Sequence, residues 1–280
     1  MPTIADKRRR FQQLHQSGCF AIPNPWDLGS ARLLQAMGFK ALASTSSGLA
    51  WSHAQPDNAA SLQTTLAHLR ELVAGSDLPI NADFENGFAA DAAGVGKHVA
   101  LAVQTGVAGL SIEDSTGDAA TPLFSIDQAC LRLRAARAAI DSAGGDVLLV
   151  GRAECFLVGR PDIDETITRL KAYANAGADV LYAPGIRSTA HIRAVVDAVA
   201  PRPVNLLLGW PSEMSMADVA ALGVRRVSVG GALARAAWGG FMRAAKALAD
   251  GSFGGFADAA SGAELNALFA ADQQARQAKG

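Results

Sequence analysis

Residues 108–154 read AGLSIEDSTGDAATPLFSIDQACLRLRAARAAIDSAGGDVLLVGRAE and contain one complete strand–helix–strand unit. The apolar runs at 108–112 and 147–151 are continuous rather than alternating, which is typical of parallel strands covered on both faces. The stretch 126–142 between them has the spacing of an amphipathic helix, and Ser125 is a suitable N-cap for it. The unit therefore predicts a parallel sheet with helices packed outside it.

The same order of apolar run, polar turn and helical stretch recurs along the whole chain. We predict strands at 19–23, 40–44, 78–82, 108–112, 147–151, 179–183, 203–208 and 224–229. Helices are predicted between them at 61–74, 91–105, 126–142, 162–176 and 213–222. Asp91 is a suitable N-cap, and glycines such as Gly106, Gly177 and Gly223 can supply the left-handed caps that end helices.

Eight such units without an intervening linker predict an α/β protein, a single (β/α)8 TIM barrel over residues 1–280. An open, doubly wound sheet is the alternative, because strand order is not visible in a sequence. A further alanine-rich helix is predicted at about 262–278, and it could be a surface helix or be exchanged between subunits. We expect a homo-oligomer, either a dimer or a tetramer.

The composition excludes several classes of protein. Half of the residues are hydrophobic, 18% are charged and the net charge is −1, which excludes a disordered chain and gives no reason to expect nucleic-acid or lipid binding. No apolar run approaches the roughly 20 residues of a membrane helix, and the N-terminus lacks the apolar centre of a secretory signal. The three cysteines are far apart, so we expect a reduced, cytoplasmic protein. The basic run at 7–10 is expected to be a solvated helix face.

Acidic side chains follow three consecutive predicted strands, where a barrel carries its catalytic groups. They are Asp83, Glu85, Glu113, Asp114 and Glu154. Carboxylates crowded at one rim raise each other's pKa unless a cation compensates their charge. Oxygen ligands without a nearby His or Cys favour Mg²⁺, with Mn²⁺ as a possible substitute. The cluster therefore predicts a magnesium site, although any one of these acids could instead be a solvated loop residue or a helix cap.

Arg152 directly follows the fifth strand, so its guanidinium is expected to point into the barrel mouth. A planar fork there suits a substrate carboxylate or a developing enolate oxygen, and an ion pair with Glu154 or Glu113 is the alternative. After the second strand, Ser46-Ser47-Gly48 offers hydroxyls and successive backbone N–H groups that can bind an anion. Together these residues predict a site for a small carboxylate.

Four further side chains are candidates for the same rim. Trp26 follows the first strand and could line the pocket or pack under a loop. Asn205 is buried by its pattern and therefore needs hydrogen-bond partners, which makes orientation of substrate or water a reasonable role. His53 and Tyr182 lie near strand ends and could transfer protons, but we favour structural or solvated roles for both.

The ordered motifs of the chain resemble those of the isocitrate lyase/phosphoenolpyruvate mutase superfamily. The resemblance is strongest in the series Ser47-Gly48-Leu49, Asp83-x-Glu85-x-Gly87-Phe88, Ile112-Glu113-Asp114 and Arg152-x-Glu154. Each motif alone is weak, but the set in this order on successive strands is fairly specific. The similarity runs from the turn at 24–27 to Gly231 and favours a closed barrel.

The resemblance implies a role for each matching residue. It implies that Asp83 binds Mg²⁺ directly, while Asp57, Glu85 and Glu113 hold its waters; Asp57 is placed only by spacing. It implies that the backbone of 47–49 receives the carboxylate and oxo oxygens of the substrate. It implies that Arg152 steadies the reacting oxyanion, so that Arg152, Ser47 and Glu113 form the catalytic set.

The loop after the fourth strand departs from the superfamily pattern. Isocitrate and methylisocitrate lyases carry a Lys-Lys-Cys-Gly-His type loop there, and the mutases carry a Lys-x-Asn pair. The stretch 114–122 of this chain contains no Cys, Lys or His, although Gly117 and its small neighbours are typical of a mobile lid. The resemblance thus implies a Mg²⁺-dependent lyase or decarboxylase that cleaves a C–C bond of a 2-oxo or 2-hydroxy carboxylate through an enolate. The alternatives are phosphonate P–C chemistry and a carboxylate-binding barrel without turnover.

Overall fold

The computed structural model describes residues 2–278 and contains one eight-stranded parallel sheet. The strands are β1 Phe20–Ile22, β2 Leu42–Ala43, β3 Ile80–Asp83, β4 Gly109–Glu113, β5 Leu148–Arg152, β6 Val180–Tyr182, β7 Val204–Leu207 and β8 Arg226–Ser228. Each overlaps its predicted range, and the strand order is β1-β8-β7-β6-β5-β4-β3-β2. Beside β1 and β2, the Ala43 N–H donates to the Pro23 carbonyl oxygen at 3.0 Å. The sheet is therefore a nearly closed barrel, as predicted, and the open-sheet alternative is wrong.

Helices alternate with the strands and cover the outside of the barrel. They are α1 Ile4–Leu14, α2 Leu28–Ala36, α3 Ser46–Ser52, α4 Leu62–Gly75, α5 Ala92–Gln104, α6 Ile126–Ser142, α7 Ile163–Asn175, α8 Thr189–Val199, α9 Met216–Ala221, α10 Ala232–Ala249 and α11 Gly262–Gln277, with a 3₁₀ turn at Gly254–Phe256. The two predicted N-caps, Asp91 and Ser125, each accept a backbone N–H bond from the residue three positions later. None of these helices is long and apolar enough to cross a membrane.

Helix α1 covers the end of the barrel opposite the catalytic rim and corrects the prediction for the basic run. Lys7 and Arg8 are buried rather than solvated, whereas Arg9 and Arg10 are exposed as predicted. The Lys7 ammonium donates to the carbonyl oxygens of Val73 and Ser76, and the Arg8 guanidinium donates to that of Val103. Carbonyl groups at helix C-termini attract cations, so these two side chains tie α1 to the ends of α4 and α5.

The barrel interior beneath the rim is unusually polar. Arg226 on β8 points inward and donates to the amide oxygens of Asn205 at 2.8 Å and Asn81 at 3.2 Å. Asn205 donates in turn to the Ser228 hydroxyl at 2.9 Å. Branched apolar side chains usually fill this space. Here it is occupied by a hydrogen-bonded polar layer that supports the cavity above it.

Candidate active site

A cavity of about 180 Å³ opens at the carboxyl ends of the strands. Several residues predicted for the site line it, namely Ser46, Ser47, Asp57, Asp83, Arg152 and Asn205. The register explains part of this grouping, because Arg152, Tyr182 and Asn205 pair successively across β5, β6 and β7. Residues paired in this way project to the same face of a sheet.

Arg152 is the centre of the charged cluster. Its Nη1 lies 3.4 Å from Asp83 Oδ1 and 3.3 Å from Glu113 Oε2, and its Nε donates to the Glu154 carboxylate. Burial opposes the charge of Arg152, but the carboxylates of Glu154, Glu113 and Asp83 raise its pKa well above the usual value. The guanidinium is therefore always charged, and it both enters the predicted ion pairs and lines the cavity.

Asp83 and Asp57 are brought together through Ser46. Asp83 Oδ2 accepts hydrogen bonds from the backbone N–H of Ser46 at 3.0 Å and from its hydroxyl at 2.9 Å. The same hydroxyl is 3.5 Å from Asp57 Oδ1. Asp57, which was assigned to the site only by its spacing, therefore lies at the cavity beside Asp83.

Glu85 and Glu113 lie behind the cavity wall rather than in its lining. The Glu113 N–H donates to the Glu85 carbonyl at 3.0 Å, which holds the ends of β3 and β4 together. Burial, and then the charges of Asp83 and Asp57, raise the pKa of Glu85 to about 8. Burial also raises the pKa of Glu113 well above its usual value and, with the Asp83 charge, raises the pKa of Asp57.

The donor set fits a hard divalent cation. Carboxylates whose pKa values are raised by removal from water and by one another are stabilised in their charged form by a nearby positive ion. Within residues 2–278, no three acidic, His or Cys side chains converge closely enough to ligate one ion directly. Mg²⁺ commonly uses one or two protein carboxylates and completes its octahedron with water. Asp83 and Asp57 line the cavity and Glu85 and Glu113 lie next to it, so carboxylates are available both to ligate such an ion and to hold its waters.

Two of the backbone N–H groups predicted to bind an anion instead form hydrogen bonds at the start of α3. The Gly48 N–H donates to the Thr45 hydroxyl at 3.3 Å, and the Leu49 N–H donates to the Thr45 carbonyl at 3.1 Å. Neither residue lines the cavity, because the chain turns into α3 at this point. Of the segment 46–49, the side chains of Ser46 and Ser47 face the cavity.

Trp26 is not part of the cavity lining. A Cβ on Gly48 would lie 2.8 Å from the Trp26 Cβ, so the tryptophan packs behind the α3 backbone. It lines a separate apolar groove with Ala237, Trp238 and Phe241. The structure thus supports the packing alternative for Trp26 over the pocket-wall alternative.

The cavity also contains residues that the sequence analysis missed or set aside. Asn205 is fully buried as predicted, but Arg226 and Ser228 accompany it on the same wall. Tyr182 is buried and lines the cavity, whereas His53 is exposed. Strand alternation at 226–228 could have identified Arg226 and Ser228 as inward-facing, because their positions differ by two.

The segment 114–125 forms a short hairpin above the rim. Ser115 and Leu123 form an antiparallel bridge, and the Thr116 N–H donates to the Pro122 carbonyl at 3.0 Å. Asp114, at its base, is 1% exposed and accepts hydrogen bonds from the Glu154 N–H at 2.8 Å and the Arg169 guanidinium at 3.1 Å. Asp114 therefore fixes the segment that carries Arg152 and Glu154.

Comparison with known proteins gives a consistent result. A family model described as phosphoenolpyruvate phosphomutase matches residues 11–249. The oxaloacetate decarboxylase of Paraburkholderia xenovorans is 32% identical over 232 residues, which are 79% of this chain and 74% of that protein. A Burkholderia cenocepacia J2315 protein described as a candidate lyase or mutase is 48% identical, with a TM-score of 0.92 over 95% of this chain and 97% of that one. The structure of a phosphonopyruvate hydrolase with oxalate and Mg²⁺ is 26% identical, with a TM-score of 0.84 over 97% of each chain.

Proposed function

Because the chain belongs to the phosphoenolpyruvate phosphomutase family, in the isocitrate lyase/phosphoenolpyruvate mutase superfamily of lyases, we propose that it is a Mg²⁺-dependent decarboxylase. Its substrate is a small 2-oxo dicarboxylate, with oxaloacetate as the first candidate. The relative named oxaloacetate decarboxylase supports this choice of substrate. The enzyme works as a homo-oligomer.

One observation carries the proposal, namely a fully charged Arg152 held in the cavity beside Asp83. When C3–C4 of oxaloacetate breaks, its electron pair moves onto the 2-oxo oxygen as an enolate. Preorganised positive charge at this oxygen favours the transition state over the ground state. A decarboxylase needs no group to deprotonate a hydroxyl, which agrees with a hairpin at 114–122 that lacks Cys, Lys and His.

The remaining residues bind and orient the substrate. Asp83, with Asp57, Glu85 and Glu113 around it, would hold Mg²⁺, which supplies Lewis acidity toward paired carboxylate and carbonyl oxygens when bound. Ser46 positions Asp83 through two hydrogen bonds, and Ser47 offers its hydroxyl to the substrate carboxylate. Glu154 and Glu113 fix the direction of the Arg152 guanidinium.

The test is pyruvate formation from oxaloacetate, corrected for the reaction in Mg²⁺-containing buffer without enzyme. We expect turnover with Mg²⁺, its loss in EDTA, and a decrease of at least about 10²-fold in Asp83→Asn. Asp127→Asn, at an exposed position on α6, is the matched control and should retain wild-type turnover. Equal turnover by wild type and Asp83→Asn, or no turnover with Mg²⁺, would contradict the proposal.

Phosphonopyruvate hydrolysis is the second candidate, favoured by the similarity to the phosphonopyruvate hydrolase structure. Phosphorus NMR with phosphonopyruvate separates the two reactions, because hydrolysis of the P–C bond produces a phosphate signal. A phosphate signal without pyruvate formation from oxaloacetate would select this second function.

A further inference from the structure

Tyr182 is a polar side chain of the cavity that has no role in the proposed binding of substrate and metal. It ends β6, in register with Arg152 on one neighbouring strand and Asn205 on the other. It is 8% exposed and lines the cavity. The Arg152 Cζ lies 5.2 Å from the centre of its ring. The phenol therefore belongs to the same wall as the groups assigned to substrate binding.

The proposed cleavage ends with an enolate whose carbon must receive a proton. The other donors of the cavity are poorly suited to give one. The Ser46 hydroxyl donates to Asp83, and Arg152 is engaged by three carboxylates that strengthen its hold on its protons. A phenol is a stronger acid than an aliphatic hydroxyl or a guanidinium. Because Asp57 is assigned to the waters of the metal, Tyr182 is the cavity acid that remains available to give a proton.

The surroundings of Tyr182 suit an acid that is neutral before the reaction. Burial raises the pKa of Tyr182 to about 12, and Arg152 and the Ser228 hydroxyl act in the opposite direction. The phenol therefore carries its proton at neutral pH.

Two guanidiniums oppose the effect of burial on the phenolate that proton transfer leaves behind. Arg226 lines the cavity and has no carboxylate partner among residues 2–278, since its guanidinium hydrogen-bonds to the neutral Asn205, Asn81 and His15. A phenolate at Tyr182 would lie in the field of two guanidiniums, those of Arg152 and Arg226. Opposite charges within a buried site favour the ionised form of an acid.

On the basis of the proposed function, we propose that Tyr182 is the catalytic acid that protonates the enolate carbon. Cleavage of C3–C4 releases CO₂ and leaves the electron pair of that bond in the enolate. The O–H bond of Tyr182 then breaks as a C3–H bond forms, which gives pyruvate and a phenolate. The phenolate takes a proton from water, so that the side chain is restored without any oxidant or reductant.

The test isolates proton transfer from C–C cleavage. Enolpyruvate is generated in the cuvette from phosphoenolpyruvate by a phosphatase, and its conversion to the ketone is followed by the loss of its vinyl NMR signals. With Mg²⁺, wild-type enzyme should accelerate ketonisation above the rate in buffer. Tyr182→Phe should lower the contribution of the enzyme by roughly 10²-fold. Oxalate affinity in calorimetry should remain unchanged, because the ring against Arg152 is retained.

The control is Thr168→Val, which removes an exposed hydroxyl on α7 that donates to the Asp164 carbonyl at 2.8 Å. That hydroxyl lies outside the cavity, so the variant should keep wild-type ketonisation. Ketonisation by Tyr182→Phe at the wild-type rate would overturn the proposal. The proposal would also be overturned if the wild-type enzyme decarboxylated oxaloacetate but did not accelerate ketonisation. Absence of oxaloacetate decarboxylation in the parallel assay would instead reject the proposed function.

Discussion

At the scale of single residues, the active-site rim carries more carboxylates than cationic side chains. Arg152 contacts three carboxylates, while Glu85 and Asp57 lie near Asp83 with raised pKa values. These acids share one rim, with Glu85 buried, Asp83 half-buried and Asp57 exposed, so their charged forms oppose one another until a cation is added. This imbalance favours binding of a divalent ion and of a chelating substrate as one unit.

Glu85 gives a prediction for the pH dependence of stability in the metal-free protein. Its pKa is raised from 4.5 to about 8 on folding, mainly by burial. The folded state therefore binds the extra proton in this window, and the free energy of unfolding falls as pH rises from about 4.5 to 8. The slope due to one group is at most about 1.4 kcal/mol per pH unit. Urea unfolding in EDTA between pH 5 and 8.5 should show a smaller decrease in Glu85→Gln. Equal pH slopes of the unfolding free energy in wild type and Glu85→Gln would contradict this prediction.

Gly231 gives a prediction for the Ser47 hydroxyl. A Cβ at Gly231 would lie 2.6 Å from Ser47 Oγ and 3.1 Å from the Trp51 ring, so alanine must displace the serine side chain. We expect Gly231→Ala to weaken Mg²⁺–oxalate binding about tenfold, which is about 1.4 kcal/mol, as measured by calorimetry. Gly239→Ala is the control, because its nearest neighbour is the flexible end of Arg243 at 3.4 Å. Unchanged oxalate affinity in Gly231→Ala would show that Ser47 does not contact the ligand.

At the scale of elements, the sequence predicts the strands better than the site between them. Continuous apolar runs mark all eight strands, because burial on both faces leaves a local signal, and glycines such as Gly106, Gly177 and Gly223 mark the ends of several helices. The acids and Arg152 are predictable as well, because each directly follows a strand. The use of the Gly48 and Leu49 N–H groups by α3 is not predictable, since a seven-residue helix after Thr45 has too few positions to show a period. Nor does the sequence reveal the strand register that aligns Tyr182 with Arg152.

Helix α7 supports the active-site rim through one buried ion pair. Arg169 on α7 is 6% exposed in its side chain and contacts Asp114, whose side chain is 1% exposed. Removing one partner leaves a buried charge, so we expect Arg169→Met to lower the free energy of unfolding by roughly 3–5 kcal/mol in urea. Arg9→Met, which breaks the exposed pair with Asp6, should leave the free energy of unfolding close to that of the wild type. Similar values for the two variants would show that the Asp114 contact does not stabilise the rim.

At the scale of the whole molecule, the C-terminal helices leave a large apolar surface uncovered. Within residues 2–278, helix α10 has eighteen residues but buries only Ala234, and α11 buries none. Large side chains of this region are exposed, among them Trp238, Phe241, Met242, Phe253 and Phe269. Contiguous exposed apolar surface on a folded protein usually marks an interface. The eighth helix of a barrel normally packs on the sheet, so its exposed face suggests a contact outside the chain.

We predict that a second copy of the chain covers this face, in agreement with the expected homo-oligomer. A symmetric pair buries the same apolar surface on both partners. The Arg32–Asp272 ion pair at 3.0 Å holds α11 to the barrel, and none of residues 262–277 is buried within the chain. Light scattering after gel filtration should give a dimer or a tetramer for wild type. Phe241→Glu combined with Met242→Glu should shift it toward the monomer, because two charges would be buried in an apolar contact. Met37→Glu, an exposed methionine just after α2, should leave the oligomer intact. A wild-type monomer at micromolar concentration would contradict the prediction, as would an unchanged oligomer in the double variant.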